Sequence, residues 1–247
     1  MPRCHGNNNV SSEKRDTEEL DPNLALVHRL FSGTGTTYDL IVNAATFGID
    51  RRWKRIIIDQ IPPNPARVLD LACGTGILTF GIARRYPNCR VVGVDLHDEY
   101  LQIARDKVRA LRLGNVEFVL SRAEEYASTE VFDCVVSSYL AKYADLPVVT
   151  RNAKMMLKEG GLLLMHDFTY PPKEFLVRVW RAYFKLLQII GTPLFPAWRE
   201  IFHGLPGVIE QTRWCAELQW ALRENAFRDI NMRYLTLYGS ALITARK

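Results

Sequence analysis

Paired cysteines are missing from this chain of 247 residues, which has five cysteines and no Cys-x-x-Cys spacing. The pattern is typical of reduced thiols and predicts no metal site. No uncharged apolar run reaches the roughly 20 residues that a membrane-spanning helix needs. The N-terminus is polar and lacks the apolar segment of a secretory signal, so the sequence predicts a cytoplasmic protein.

A strong excess of one charge is also missing, because the formal net charge is only +5. The first 21 residues hold three cations and five anions, so the rest of the chain carries +7. Such a surface attracts anionic ligands or an anionic membrane face. No nucleic-acid-binding motif accompanies the charge, so we expect a solvated basic surface and no nucleic-acid partner.

The composition shifts twice along the chain. Residues 1–21 are polar and predict a flexible tail. The remainder, 22–247, predicts one domain, since 247 residues suffice for a single large core. We divide this domain into N-terminal helices at 22–60, a ligand-binding core at 66–171, and a lid with the sheet edge at 172–247.

Strands and helices alternate through the predicted core. The strands are almost wholly apolar, which is typical of a parallel sheet covered on both faces. We expect Gly160 and Gly161 to end the last core helix as a C-cap. The predicted strands are 67–71, 90–94, 116–120, 132–136 and 162–166, and the predicted helices are 76–86, 98–112 and 146–158.

The flanking segments complete the predicted fold. Helices are expected at 24–31 and at 38–58, the latter broken at Gly48, and again at 173–190 and 211–226. Two final strands, 229–236 and 239–246, are expected to form an antiparallel hairpin at the sheet edge. The fold class is therefore α/β, a doubly wound, Rossmann-like, mostly parallel sheet with an N-terminal helical cap.

The segment Asp70–Gly76, with the sequence Asp-Leu-Ala-Cys-Gly-Thr-Gly, follows the first predicted strand. Ligands bind at the carboxyl ends of such strands, and glycines let the backbone approach them closely. Asp70 is placed to hold a ligand amine through the loop. Asp95 ends the second strand, 19 residues after Gly76, and is placed to accept hydrogen bonds from ribose hydroxyls.

The glycine spacing favours one class of nucleotide. A dinucleotide fingerprint needs a third glycine, but Thr79 stands at that position. A phosphate-binding P-loop is excluded, because no Gly-Lys-Ser or Gly-Lys-Thr follows the loop. S-adenosylmethionine (SAM) has no pyrophosphate, so the sequence predicts SAM as the cofactor.

Several motifs together resemble the ubiquinone/menaquinone biosynthesis C-methyltransferases, a family of class I SAM-dependent methyltransferases. The resemblance covers nearly the whole chain after residue 21. It rests on Phe31-Ser32, Tyr38-Asp39-Leu40, Phe47–Lys54, Val68–Gly76, Phe132–Cys134, Leu157–Gly161, Asp167-Phe168, Pro171 and Leu205-Pro206.

The resemblance implies methyl transfer to a ring carbon of a polyprenylated hydroquinone, and it implies roles for individual residues. Thr79 and Asp95 match residues that contact SAM, Arg122-Ala123 match the adenine position, and Ser138 matches a serine beside the methyl donor. The full expected cofactor-binding set is Asp70, Ala72, Gly74, Gly76, Thr79, Asp95, Leu96, Arg122, Ala123 and Ser138.

This chain departs from the family pattern in three places. Arg122 replaces an acidic or amide residue that would accept the adenine amine, so Glu124, a backbone carbonyl or stacking by the guanidinium takes that role. The segments Tyr139–Tyr143 and Tyr234–Tyr238 also differ from the family, where they are expected to line the acceptor pocket. The acceptor is therefore less determined than the cofactor.

Methylation of a ring carbon needs a base or a cation near a phenol. The catalytic candidates are Lys142, Asp167 and Tyr38, with a solvated loop position as the alternative for Lys142. His166 is expected to point away from Asp167 by strand alternation, and His203 is expected in a surface loop. Tyr139 is either a gate or a packed aromatic ring.

Three functions remain open from the sequence. The first is methylation of a quinol-type lipophilic acceptor, the second is methylation of another small aromatic or lipid-like acceptor, and the third is SAM binding without turnover. The helix at 173–190 is either a core-covering helix or an apolar lid that makes a peripheral membrane contact. A homodimer is a further open possibility.

Overall fold

A computed structural model describes residues 22–247. The prediction of a flexible tail at 1–21, and the expected state of Cys4, lie outside these residues. Within them, Cys73, Cys89 and Cys134 are buried and free, and Cys215 is half-buried.

Seven strands form one sheet in the order β3-β2-β1-β4-β5-β7-β6. Neighbours among β1 to β5 pair in parallel, and β7 runs antiparallel to both β5 and β6. The predicted fold class and the C-terminal hairpin are confirmed. The strands are β1 Arg67–Leu71, β2 Arg90–Asp95, β3 Val116–Leu120, β4 Phe132–Ser138, β5 Leu157–Phe168, β6 Arg228–Leu235 and β7 Ser240–Arg246.

Helices cover both faces of the sheet. The longer helices are α1 Pro22–Phe31, α2 Tyr38–Ala45, α3 Ile49–Ile58, α4 Ile77–Arg85, α5 Asp98–Leu111, α6 Leu146–Met156, α7 Glu174–Leu186, α9 Arg199–Gln211 and α10 Trp214–Glu224. Shorter turns are the 3-10 helices Gly35–Thr37 and Pro196–Trp198, the π-helix Leu187–Gly191 and the single turn α8 Thr192–Leu194.

The alternation of side chains along β1 separates two apolar clusters. Leu69 and Leu71 pack with residues of α6 and α10 on one face of the sheet. Val68 packs with residues of α3 and α4 on the other face. Because both faces of β1 are apolar and covered, its carboxyl end is held rigidly inside the molecule.

A third apolar cluster closes the carboxyl end of the sheet. Leu30 of α1 and Ile41 of α2 pack against Trp198, Ile201 and Phe202. The N-terminal helices therefore cover the strand ends, where the sequence predicts ligand binding.

The segment between α1 and α2 is held by polar contacts to α5. The Glu99 carboxylate accepts hydrogen bonds from the backbone N–H groups of Gly33 and Gly35, both at 3.0 Å. The hydroxyls of Thr34 and Tyr100 lie 2.5 Å apart. These bonds fix the helical cap over the glycine loop.

Two predicted helix boundaries differ from the structure. Helix α6 ends at Met156 and β5 begins at Leu157, so Gly160-Gly161 lie inside the strand and the expected C-cap is wrong. Leu157 is fully buried and pairs with Phe132, and this burial ends the helix earlier than the glycines would. The helix expected at 173–190 is α7, followed by the π-helix.

One helix was not predicted from the sequence. Residues Arg199–Gln211 form α9, so the loop expected around His203 is wrong. The helix contains Gly204, Pro206 and Gly207, which are poor helix formers. Burial of Ile201 and Phe202 in the third apolar cluster compensates for them.

Across residues 22–247, no helix is long and apolar enough to cross a bilayer. The same residues contain no group of three or more side chains arranged to bind a metal ion.

Candidate functional site

The loop between β1 and α4 turns sharply at three residues with positive φ, Ala72 at 56°, Gly74 at 55° and Gly76 at 87°. A side chain at Gly76 would collide with the ring of Phe80 at 2.5 Å, so glycine is required there. The loop is also tied to β2, because the Cys73 N–H donates to the Val94 carbonyl at 2.9 Å. Backbone geometry therefore presents the loop to a ligand.

Asp95 organises the loop from the end of β2. One of its carboxylate oxygens accepts from the Gly74 N–H at 2.7 Å and the other accepts from the His97 N–H at 2.9 Å. Burial raises the pKa of Asp95 to about 6, opposed by these backbone hydrogen bonds. At neutral pH the residue is an anion that lines a cavity, as the ribose assignment requires.

A first cavity lies beside this carboxylate, with an empty volume of about 430 Å³ that includes open solvent. Its lining contains five of the expected cofactor-binding residues, together with Glu124 and with Leu24 and Val27 of α1. These five are Ala72, Asp95, Leu96, Arg122 and Ala123. The Arg122 guanidinium lies within 4 Å of Glu124 and Glu125.

A second cavity has an empty volume of about 320 Å³ that includes open solvent. Ala72 lines both cavities, and Gly74 lines the second. Asp70 and Ser138, both expected at the cofactor site, and Tyr38, expected to be catalytic, line this space. The structure thus divides the expected site into two connected halves.

Thr79 is fully buried, and Thr79 and Gly76 are the two expected cofactor residues that lie in neither lining. Its hydroxyl donates to the Asp70 carboxylate at 2.6 Å. Burial raises the pKa of Asp70 to about 7, and this hydrogen bond and the nearby Lys54 oppose the rise. Thr79 therefore acts on Asp70 and does not face the cavity.

Lys54 of α3 lines the second cavity. It was not among the site residues predicted from the sequence. Its ammonium lies 2.5 Å from Asp50, and the Tyr139 hydroxyl donates to the same Asp50 oxygen at 2.6 Å. Asp50 and Lys54 are four residues apart, so they share one face of the helix. That spacing was the signal available in the sequence.

Lys142 and Asp167, which were separate catalytic candidates in the sequence, form an ion pair with 2.6 Å between ammonium and carboxylate. Their side chains are 1% and 0% exposed, so a solvated loop position for Lys142 is wrong. Burial lowers the pKa of Lys142, and Asp167 opposes that shift. Neither residue is in the lining of the two cavities.

The remaining candidates lie at different depths. His166 is buried beside Trp53 and Ser138, and burial keeps its pKa well below the usual range, so the ring is neutral. His203 is exposed on α9, and Tyr234 is largely exposed. Tyr234 and Tyr238 contact each other, but neither lines the two cavities. The family resemblance had implied that their segment lines the acceptor pocket.

The N-terminal cap reaches the glycine loop through Asp39 of α2. The Thr75 hydroxyl donates to one Asp39 oxygen at 2.5 Å, and the Lys107 ammonium lies 2.6 Å from the other. Tyr38, the preceding residue, packs its ring against those of Tyr100 and Trp198. The cap therefore forms one wall of the second cavity.

Comparison with known proteins agrees with this geometry. Residues 15–244 match the ubiE/COQ5 methyltransferase family. The chain is 36% identical over 182 residues to the ubiquinone/menaquinone biosynthesis C-methyltransferase UbiE of Proteus mirabilis, covering 71% of this chain and 72% of that protein.

Solved structures share the fold at low sequence identity. The SAM-dependent methyltransferase SibL superposes with a TM-score of 0.58 at 17% identity, over 82% of this chain and 56% of that one. The geranyl diphosphate C-methyltransferase of Streptomyces coelicolor gives 0.57 at 16%, over 79% and 75%.

This chain belongs to the ubiE/COQ5 methyltransferase family and is a SAM-dependent methyltransferase. The residues of the site fit the cofactor. Asp95, an anion at neutral pH, lines the first cavity, and the glycine loop has no third glycine for a pyrophosphate. The lining of the second cavity contains the ammonium of Lys54 and the carboxyl group of Asp70.

Proposed function

We propose that this member of the ubiE/COQ5 methyltransferase family transfers the methyl group of SAM to a ring carbon of a lipophilic quinol. The relatives described as ubiquinone/menaquinone biosynthesis C-methyltransferases support this acceptor class at about 36% identity. A quinol with an isoprenoid tail needs a polar end for its ring hydroxyls and an apolar path for its tail.

The observation that carries the proposal is an apolar surface that starts at the second cavity. Tyr38 lines the cavity, and the same helix exposes Leu40. Phe47 follows, 76% exposed, with its ring against Tyr183 of α7. The Tyr183 hydroxyl donates to the Ala45 carbonyl and joins α7 to α2.

Helix α7 and the turns after it extend this surface. They expose Phe175, Val179, Leu186, Ile189, Ile190 and Leu194. Positions 175, 179, 186 and 190 share one helical face by their spacing. Exposed apolar side chains in such number mark a contact with an apolar ligand or a membrane, and they support an isoprenoid tail and a peripheral membrane contact.

We assign to the cofactor residues the roles that the glycine loop and the family resemblance suggest. Asp95 accepts hydrogen bonds from the ribose hydroxyls, and Leu96, Arg122 and Ala123 surround the adenine. Ala72, Gly74 and Gly76 supply the close backbone approach, and Ser138 lies next to the methyl donor. Asp70, held by Thr79, faces the amino-acid end of the cofactor.

SAM supplies the methyl group as an electrophile when it is bound. The acceptor carbon becomes nucleophilic when the neighbouring phenol loses its proton, and a positive charge nearby favours the phenolate. We assign the positioning of the phenol to Tyr38. Lys142, held by Asp167, places a buried positive charge behind the rings of Tyr139 and Tyr143.

Mass spectrometry of quinones tests the proposal. The chain is expressed in a bacterial strain that lacks its own quinone C-methyltransferase, and we expect the demethylated quinone to gain one methyl group. Asp95→Ala serves as the inactive control. If the quinones of the strain stay unchanged while the purified protein binds SAM, a quinol acceptor would be excluded.

One observation favours the second candidate, methylation of another small aromatic or lipid-like acceptor. In the segment that departs from the family, Tyr139 stacks on Phe168 with ring centroids 4.7 Å apart, and its hydroxyl is held by Asp50. Tyr139 thereby forms part of the wall of the second cavity. Transfer of labelled methyl from SAM to a panel of lipophilic phenols, without transfer to quinols, would select this candidate.

SAM binding without turnover is the third candidate. It would be selected if the protein bound SAM but labelled no acceptor of either class.

A further inference from the structure

The second cavity contains a buried cation that the acceptor chemistry does not require. Lys54 lines the cavity, its side chain is only 10% exposed, and that of its partner Asp50 is 3% exposed. A buried lysine loses hydration, so it is retained where its charge has a partner. Asp50 is one such partner, and the cavity has room for a second.

The hydrogen bonds of Lys54 leave donors for a ligand. An ammonium has three N–H donors. Within residues 22–247, the structure gives one hydrogen bond from this ammonium, to Asp50, and a contact with the Tyr139 ring at 4.7 Å. The Tyr139 hydroxyl holds the same Asp50 oxygen, so the direction of the lysine is fixed from behind.

The cavity also presents the opposite charge. Asp70 lines it at the end of β1, near enough to Lys54 for the ammonium to act on the carboxyl, and Gly74 and Thr75 line it too. One cation and one carboxylate across a small space are complementary to a zwitterion. Since the first cavity, beside Asp95, fits a nucleoside, the two cavities together match a nucleoside joined to an amino acid.

We propose that Lys54 binds the α-carboxylate of the methionine moiety of SAM. Asp70 faces the α-ammonium, and Asp50 and Tyr139 are positioning residues that act through Lys54. The proposal rests on the cofactor and is independent of which acceptor is methylated. Asp50 and Lys54 therefore act in cofactor binding and not in acceptor binding.

Binding of two cofactor analogues tests the proposal by calorimetry. S-adenosylhomocysteine has the amino-acid group, and 5′-methylthioadenosine has the same nucleoside and sulfur without it. Lys54→Met is expected to weaken S-adenosylhomocysteine binding about 10- to 100-fold, the usual range for a charged hydrogen bond. Its affinity for 5′-methylthioadenosine should change by less than about threefold, which also shows that the variant is folded.

Three further variants sharpen the test. Lys54→Arg retains the charge and should recover most of the lost affinity. Asp50→Asn/Lys54→Met removes both charges and should show the same selective loss, because the effect does not come from an unbalanced Asp50. Lys158→Met removes a lysine that pairs with Asp133 at the opposite end of β1 and lines neither cavity, so it should leave both affinities unchanged.

Two outcomes would overturn the proposal. In the first, Lys54→Met binds both analogues as the unaltered protein does, which would place Lys54 toward the acceptor. In the second, both affinities fall equally, which would show a structural role. Neither outcome bears on the quinone measurement, so failure of one proposal is distinguishable from failure of the other.

Discussion

Around the first cavity, the decisive contacts join a carboxylate to backbone N–H groups, whereas around and behind the second cavity they join side chains to one another. Asp95, at the end of β2, holds the N–H groups of Gly74, which follows β1, and of His97. Across the loop, Asp50 is bonded to Tyr139, and Asp167 to Lys142.

The two kinds of contact differ in how strongly they limit substitutions of the residues around them. A carboxylate that holds backbone amides works with many neighbouring side chains, so the first cavity tolerates changes around Asp95. A buried ion pair depends on both of its partners, so a substitution of Asp50 or Lys54 alters the shape and charge of the second cavity. Tyr139, in the segment that departs from the family, lines this second cavity.

The largest effect on stability is expected from breaking the buried ion pair of Lys142 and Asp167. Lys142→Met leaves the buried Asp167 carboxylate without its counter-ion and should reduce the free energy of unfolding by about 3–5 kcal/mol. Urea denaturation followed by circular dichroism measures it. Lys142→Met/Asp167→Asn should recover most of the loss, and a single-variant loss below about 1 kcal/mol would contradict the role of the pair.

The next effect is the pH dependence of stability that the Asp70 carboxyl causes. The pKa of Asp70 is about 7 in the folded protein, against 3.8 ordinarily, because the carboxyl is buried. Between these values the folded chain retains a proton that the unfolded chain has lost, so stability falls as pH rises from about 4 to 7. At about 1.4 kcal/mol per pKa unit, the cost is at most about 4 kcal/mol.

Asp70→Asn should remove this cost. Relative to the unaltered protein, the variant should gain stability steadily from pH 4 to pH 7 and then remain level to pH 8. Urea denaturation across this range, without cofactor, measures the difference. A difference that is independent of pH would show that burial does not raise the pKa of Asp70.

A third prediction concerns the Asp95 carboxylate. Asp95→Ala should weaken S-adenosylhomocysteine binding by about 100-fold, near 3 kcal/mol, because the loop loses its anchor and the ribose loses its acceptor. Calorimetry measures the affinity. The ribose assignment fails if the affinity stays within about threefold.

Asp133→Ala is a matched control for this variant. The Asp133 carboxylate also accepts from two backbone N–H groups, those of Ala66 and Arg67, but at the opposite end of β1. Its removal should leave S-adenosylhomocysteine affinity unchanged.

The smallest effect is expected at the apolar surface of α7. Val179→Ser should change the free energy of unfolding by no more than about 0.5 kcal/mol, because the side chain is half-exposed. Partition into anionic lipid vesicles should fall about three- to tenfold, since apolar burial in the membrane is lost. Met155→Ser, on α6, is the control, and an equal fall in both variants would argue against a specific membrane face.

The fold and the cofactor loop could be predicted from sequence because their signals are local. Apolar strands, the glycine spacing and an acid 19 residues later lie within one continuous stretch, so the order of residues defines the geometry. The confirmed sheet and the positions of Asp95 and Ala123 at one cavity follow from this. Even so, Thr79 shows that adjacency in a motif does not tell which residue faces the ligand.

The contacts around and behind the second cavity could not be predicted in the same way. The four-residue spacing puts Asp50 and Lys54 on one helical face, but only the packing of α3 against the sheet showed that this face meets Tyr139 and a cavity. Likewise, Lys142 appears as a loop lysine until Asp167, 25 residues later, is placed beside it.

Helix α9 shows the same limit in the fold itself. Gly204, Pro206 and Gly207 oppose a helix locally, yet Gly204 allows close contact with Leu30 of α1. The sequence by itself therefore determined the sheet, the glycine loop and the class of cofactor, because these depend on short-range order. Only the tertiary structure decided which charges are buried and which helices cover the site, because those depend on contacts between distant segments.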